Sequence, residues 1–434
     1  MKRFKFLRCN HLGVAILASL TILLCLWFAS PLLPTQANTQ TQVFEQVWET
    51  VNKNFFDPRF NGVDWKAIAL KYKPQAAKAK SNHEFADTIN QMLSELRTSH
   101  TRFYTPEEPA YYQLMGIFQP RMADLPPAVK KLFPTGKFEY TDIGIFTKAI
   151  NGKTFIRAIL DDSPAAKAGL KIGDELLSVD GGTYEPIQSF VGKAGKKVTL
   201  LIQRTPNPNS RQEISVTPKI YDATTMFLEA QEASKQVIQR QGKKIAYVHI
   251  WSNAADANQE KLIEDLLFGR FQDADALVLD LRDGWGGGSI SYLNFFTAEG
   301  AIITNIPRNG KRNTYRYQWK KPAIMLVNEG SRSSKEILAF AFREYKIGQL
   351  VGSQTAGAVV AGRPFFMPDG NMLYLAVADV LVNETERLER KGVTPDITVP
   401  FPLGYAQGAD PQKQLALETV VTKVNSQQSR VTND

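Results

Sequence analysis

Apolar positions fall into three regimes along the chain. From about Val43 to Leu96 they recur three and four residues apart: Val43, Val47, Val51 and Phe55, then Phe85, Ile89, Met92, Leu93 and Leu96. That spacing lines one face of an α-helix. Ser81 to Glu84 reads as a capping box opening the second stretch. The pattern predicts a small helical module ending at Ser99-His100-Thr101.

From about Tyr140 to Arg204 short β-branched runs alternate with Gly and Asp turns: Gly144-Ile145-Phe146, Phe155 to Ile159, Glu175 to Val179 and Lys197 to Ile202. Ser163-Pro164-Ala165 marks a helix start, with Pro in the first turn. A compact β domain with one or two helices is expected, closed by a linker at Pro206 to Ser210. From about Ile245 to Pro400, apolar strands alternate with helices. Ile245 to Ile250, Ala276 to Asp280 and Ala323 to Val327 read as strands, and Ala257 to Phe268 and the stretch from about Ser334 as helices. That alternation is the mark of an α/β core with buried strands. After Gly408 a polar tail is expected, frayed beyond one short helix near Leu415 to Val424.

The chain has 434 residues, 43% hydrophobic and 22% charged, which suits two to four packed domains. Its formal charge of +9 is partly local. Lys2, Arg3, Lys5 and Arg8 precede an apolar stretch from Leu12 to Leu33, and no acidic residue comes before Glu45. Residues 1–37 are therefore expected to be a signal peptide or a membrane anchor, with Thr35-Gln36-Ala37 as a passable cleavage site. Either outcome exports the folded part. The two cysteines, Cys9 and Cys25, lie in this segment. Leu24 before Cys25 speaks against a lipoprotein, and a cysteine nucleophile in the body is excluded. No basic stripe with interleaved aromatics suggests nucleic acid. No His/Cys cluster suggests zinc, and no metal or organic cofactor is expected.

Two stretches carry candidate chemistry. Asn328 to Ser334 follows a buried strand and precedes a helix, where backbone N–H groups favour developing negative charge. A serine there suits attack on a carbonyl, although Ser331, Ser333 and Ser334 are equally what a plain N-cap would use. Gly286-Gly287-Gly288 lets backbone N–H groups approach a substrate closely. It carries neither a Walker lysine nor a Gly-x-Gly-x-x-Gly pattern, so a phosphate loop is disfavoured.

Four signatures in order give these stretches a family. They are Leu93 to Thr101, the β domain, Asp280-Leu281-Arg282 with the glycine run, and Ser331-Arg332-Ser333-Ser334-Lys335-Glu336. About Val43 to Pro400 resembles the C-terminal processing peptidases, the tail-specific serine peptidases of family S41. The resemblance implies a multidomain α+β protein. It would comprise residues 1–37 as leader or anchor, a helical module at 41–110, a PDZ domain at 111–210, a ClpP/crotonase-like peptidase core at 215–405 and a tail at 406–434. It places the nucleophile at Ser333, with Ser334 and Ser331 as alternatives.

The base departs from the commonest pattern. Many bacterial relatives use a lysine in a Thr-x-Gly-Lys-Gly segment, which here reads Thr355-Ala356-Gly357-Ala358-Val359. Ala358 carries no amine, and Lys335 lies two residues from Ser333, off its helix face. The tricorn-like branch uses Ser, His and Glu. The resemblance then gives His100 as base and Glu389 as its orienting carboxylate, with Glu386 as the alternative. His83 and His249 read as structural and His11 lies in the leader. Gly286, Gly287 and the Ser334 N–H are expected to form the oxyanion hole. Ile143-Gly144-Ile145-Phe146 resembles the carboxylate loop of a PDZ domain, which adds a chain end to a sheet edge.

The expected activity is a serine endopeptidase acting on exported proteins at or near apolar C-termini. The alternatives are a catalytically inactive ligand- or peptide-binding protein on the same fold, or a membrane-anchored scaffold. The oligomeric state is not legible.

Overall fold

The computed structural model describes residues 36–288, 290–297, 302–316 and 318–431. The expected leader lies outside them but for its last two positions. Among the described residues no helix is long and apolar enough to cross a membrane.

Three helices, Gln36–Asn54, Trp65–Ala76 and Asn82–Ser94, open the chain. Each later start has a local cause. Asp64 accepts the Lys66 and Ala67 N–H groups, and Ser81 Oγ accepts the Glu84 N–H. The apolar stripe Val43, Val47, Val51 is buried, but not by helices alone. Leu373, Leu375 and Ala376 complete that core. The strand Arg102–Tyr104 pairs antiparallel with Met372–Tyr374 at the start of the strand Met372–Asp379. The helical module is thereby welded to the far end of the chain, and His100 is fixed two residues from the weld.

A five-stranded antiparallel sheet follows, in the order Ile145–Ile150, Lys153–Ile159, Glu175–Val179, Val198–Gln203, Arg211–Val216. Pro206 to Ser210, read from the sequence as a linker, is instead the turn between its last two strands. Pro and Asn suit either setting, so local chemistry could not separate them. The strand Ile145–Ile150 pairs on one side only and forms an open sheet edge.

A six-stranded sheet forms the centre of the last part of the chain, in the order Ile397–Thr398, Gln349–Gly352, Ala323–Val327, Ala276–Asp280, Lys243–His249, Gln236–Arg240. All neighbours are parallel except the last pair. Ala276–Asp280 and Ala323–Val327 are buried throughout, as strands covered on both faces must be. One face packs on helices Asp256–Leu267 and Ser334–Glu344. The other is covered by the C-terminal helix Pro411–Val431, through Ala416, Leu417, Val420, Val421 and Val424. The expected frayed tail is thus corrected. Its few apolar residues sit three and four apart, enough for one buried face despite a polar average.

Candidate active site

Ser333 stands where Ala323–Val327 gives way to Ser334–Glu344, at the N-cap of that helix. Its φ of 58° and ψ of −129° are strained for a residue with a Cβ. The strain is held by its neighbours. Ser333 N–H donates to the Ala358 carbonyl at 3.0 Å. The buried Glu336 carboxylate accepts from Thr355 Oγ1 at 2.5 Å and from the Gly357 and Ala358 N–H groups, both at 2.7 Å. It also accepts the Ser333 N–H at 3.3 Å. Ala358 thus serves through its backbone.

The glycine run lies against this turn. A Cβ on Gly286 would stand 2.6 Å from Ser333 Cβ and 2.9 Å from the Ser334 nitrogen, so only glycine fits. Ser334 Oγ donates to the Gly287 carbonyl at 2.6 Å and holds the loop to the helix. Lys335 adds a second tie. Its fully buried ammonium donates to the carbonyls of Asp283 at 2.6 Å and Trp251 at 3.2 Å. Burial pushes its pKa down to about 7. Among the described residues, the N–H groups of Gly286, Gly287 and Ser334 donate to no protein acceptor. They remain available to a substrate oxygen.

His100 arrives from the other side. It lines the same 270 Å³ cleft as Ser333, Gly286 and Gly287, with its ring 5.3 Å from that of Tyr374. No hydrogen bond joins His100 to Ser333 in this state, which is common before substrate binds. Glu389 does not touch His100 directly. It accepts the Ser99 hydroxyl at 2.8 Å, the Ser99 N–H at 2.9 Å and the Val359 N–H at 2.7 Å. Ser99 Oγ in turn lies 3.0 Å from His100 Nδ1. A serine hydroxyl has one proton, and here the carboxylate takes it. Nδ1 must then be the donor to Ser99 Oγ. The imidazole carries its hydrogen on Nδ1 and leaves the Nε2 lone pair free. Burial first, and the Arg332 charge second, lower the His100 pKa to about 3, so the ring is neutral.

Ser99 is the residue that the sequence reading passed over, although it stood inside the quoted Ser99-His100-Thr101. Its signal was a hydroxyl beside the histidine. Its role needed the fold, because Glu389 lies 290 positions away. Glu386 is exposed and bonds through its backbone to Val382. Ser331 is buried and donates to the Leu281 carbonyl. His249 stacks on Trp251 at 3.8 Å and meets the Arg282 carbonyl, while His83 is exposed beside Asp87. Among the described residues, no group of His, Cys, Asp and Glu could hold a metal.

The loop Ile143 to Phe146 enters the open sheet edge. Ile143 is buried; its N–H goes to Asp142 and its carbonyl accepts from Ala165. Its role is therefore to anchor the loop. Gly144 has φ 81° and packs on Ser163 and Tyr221, where a Cβ has no room. Phe146 stacks on Trp251 with ring centroids 5.8 Å apart.

Comparison with known proteins matches three segments. Residues 244–399 match Peptidase family S41, residues 36–94 the Tricorn protease C1 domain and residues 155–204 the PDZ domain. The chain carries a Peptidase family S41 domain together with a Tricorn C1 segment and a PDZ domain. It is a serine peptidase with a PDZ domain and an S41 core in a mixed helix-and-sheet fold. It is 27% identical over 422 residues to a carboxyl-terminal-processing protease of Picosynechococcus, covering 93% of this chain and 94% of that one. It is 25% identical to a putative tricorn protease homologue of Streptomyces coelicolor, covering 88% of this chain and 32% of that one. A crystal structure of the tricorn protease shares its fold with a TM-score of 0.51 at 20% identity, over 90% of this chain and 37% of that one.

Proposed function

We propose that the protein is a PDZ-guided serine endopeptidase that cleaves exported polypeptides at or near apolar C-termini. The observation that carries this reading is the chain Glu389–Ser99–His100, ending in the cleft that Ser333 lines. His100 Nε2 takes the Ser333 proton as Oγ attacks the scissile carbonyl carbon. The C=O π electrons move to oxygen, and the Gly286, Gly287 and Ser334 N–H groups receive the oxyanion. The C–N bond then breaks, and the imidazolium returns its proton to the departing amine. Water, deprotonated by the same imidazole, releases the acyl group. Glu389 acts through Ser99, fixing the tautomer and offsetting the imidazolium charge. The open edge at Ile145–Ile150, beside Gly144, offers a place for a substrate's last residues to add as a strand. Export rests on the apolar start of the sequence and on relatives named as bacterial and chloroplast processing proteases. The same apolar start supports membrane anchoring.

The test is cleavage of an unfolded protein with an apolar C-terminus, by the parent and by Ser333→Ala and His100→Ala. Loss of the nucleophile is expected to lower kcat on the order of 10⁶-fold. Cleavage that survives in Ser333→Ala with an unchanged circular dichroism spectrum would sink the assignment. A parent that binds such peptides without cutting them would instead be a peptide-binding protein.

A further inference from the structure

Two clefts meet at the nucleophile turn. One, of 270 Å³, holds Ser333 and His100. The other, of 590 Å³, runs from the open sheet edge at Ile145, Phe146 and Thr147 to the same turn. Arg332 and Trp285 line both. The second cleft contains three guanidinium groups and three carboxylates. Arg102 pairs with Glu108 at 2.8 Å, and Arg157 Nε donates to Asp283 at 2.5 Å. Glu329 is held by Lys148 at 2.9 Å. Arg332 is left over. Among the described residues its side chain makes no ion pair and no hydrogen bond. It rests half-buried over the Trp285 indole, 4.9 Å from the ring centroid.

This arrangement has a physical reading. The indole face attracts the guanidinium electrostatically without using up its N–H donors. Five donors in a rigid fork match a carboxylate, and partial burial makes their emptiness costly. The aromatic seat alone does not single it out, since the exposed Arg363 lies over Phe365 at 4.3 Å; the position next to Ser333, lining both clefts, does. Its charge is felt within the site, since it helps to lower the His100 pKa and opposes the rise at Tyr374.

We infer that Arg332 is a carboxylate-reading subsite, and that the enzyme prefers peptide bonds with an anionic group one or two residues away on the leaving-group side. This rests on the peptidase reading above and adds to it a substrate chemistry. The side follows from the path of the second cleft, which leads from the strand edge that would hold the chain's end. The carboxylate has two possible sources: the chain terminus itself or an acidic side chain.

The experiment uses quenched peptides of one sequence, with Glu or Gln just after the cleavage site and a free or amidated C-terminus. They are compared on the full exported body and on Arg332→Gln. Expected is a kcat/KM ratio of anionic to neutral peptide of ~10-fold or more in the parent, collapsing towards unity in Arg332→Gln. Arg332→Glu is expected to reverse it in favour of a Lys peptide. The Glu-amide arm reports a side-chain source and the Gln-free-acid arm a terminal one. Binding of the same peptides to Ser333→Ala, with and without Arg332→Gln, separates the two readings. An Arg332-dependent preference in binding without any cleavage by the parent would uphold the subsite and overturn the peptidase assignment. Cleavage with no anionic preference, or a preference that persists in Arg332→Gln, would overturn the subsite alone.

Discussion

The Ser333 side and the His100 side of the cleft are built in different ways. The Ser333 side is local. Ser333, the glycine run and residues 355–358 come from neighbouring strand ends of one sheet, bound by Glu336, Ser334 and Lys335. The His100 side is assembled from the two ends of the body. Ser99 and His100 leave the helical module, Glu389 comes from beyond the last long strand, and they meet because Arg102–Tyr104 pairs with Met372–Tyr374. The local side can tolerate little change in shape. The assembled side depends on one relay through a hydroxyl.

Substitutions can break that contrast, and the largest effect is expected on the local side. Gly286→Ala drives a Cβ to 2.6 Å from that of Ser333. Displacing the nucleophile by a fraction of an ångström is expected to lower kcat by ~10²-fold or more. KM should change little, and a Gly286→Ala enzyme with parental kcat would remove the loop from the oxyanion role.

Ser99→Ala and Glu389→Gln come next. Each breaks the orientation of His100 without touching Ser333, and a fall in kcat of about 10²-fold is expected. The double variant should be little worse than either single one, because both act on one relay. Additive losses would mean that Glu389 reaches the site by another route.

The proposed base also has a signature in pH. With its pKa lowered to about 3 by burial and by Arg332, His100 stays neutral far below the ordinary imidazole range. The acid limb of kcat/KM set by this group is expected well below the usual ~6.5. In Arg332→Gln the nearby positive charge is gone, protonation becomes easier and the limb moves to higher pH. A limb near 6.5 in the parent would show the imidazole to be solvated in the working enzyme.

A smaller effect is expected away from the cleft, at Asp142 beside the Ile143 loop. Burial raises its carboxyl pKa to about 7, against the pull of the Ile143 and Gly144 N–H groups. The folded pKa lies above the unfolded value of 3.8, so stability from this group is full below that value and is lost as pH rises towards 7. Asp142→Asn keeps an acceptor for Ile143 and removes the charge. It should raise Tm at about pH 8 by about 2–4 °C and leave it unchanged at about pH 4. An equal shift at both values would point to packing rather than charge.

Much of this was legible residue by residue. The strand–turn–helix around Ser333 was readable because buried strands and N-caps are local patterns. The resemblance to the peptidase family, with Ala358 where that family commonly has a lysine, is what turned the expectation towards a histidine base. The C-terminal helix was underestimated because Ala416, Val420 and Val424 look sparse in a polar stretch until a sheet face is there to cover. The hairpin turn at Pro206 to Ser210 was mistaken for a linker because the same residues serve both. Arg332 gave no sign in the sequence, since a cation is unpaired only with respect to neighbours in space.

What the sequence determined by itself was therefore the set of elements and the supply of reactive groups: a hydroxyl at a helix start, glycines beside it, a histidine after a helix and no thiol in the body. The tertiary structure decided which groups share a cleft, and that Glu389 rather than Glu386 reaches Ser99 beside His100. The reason is one of range. Periodicity and capping act over a few residues and are written locally. A relay between residues 99 and 389 exists only after strand pairing closes the intervening chain.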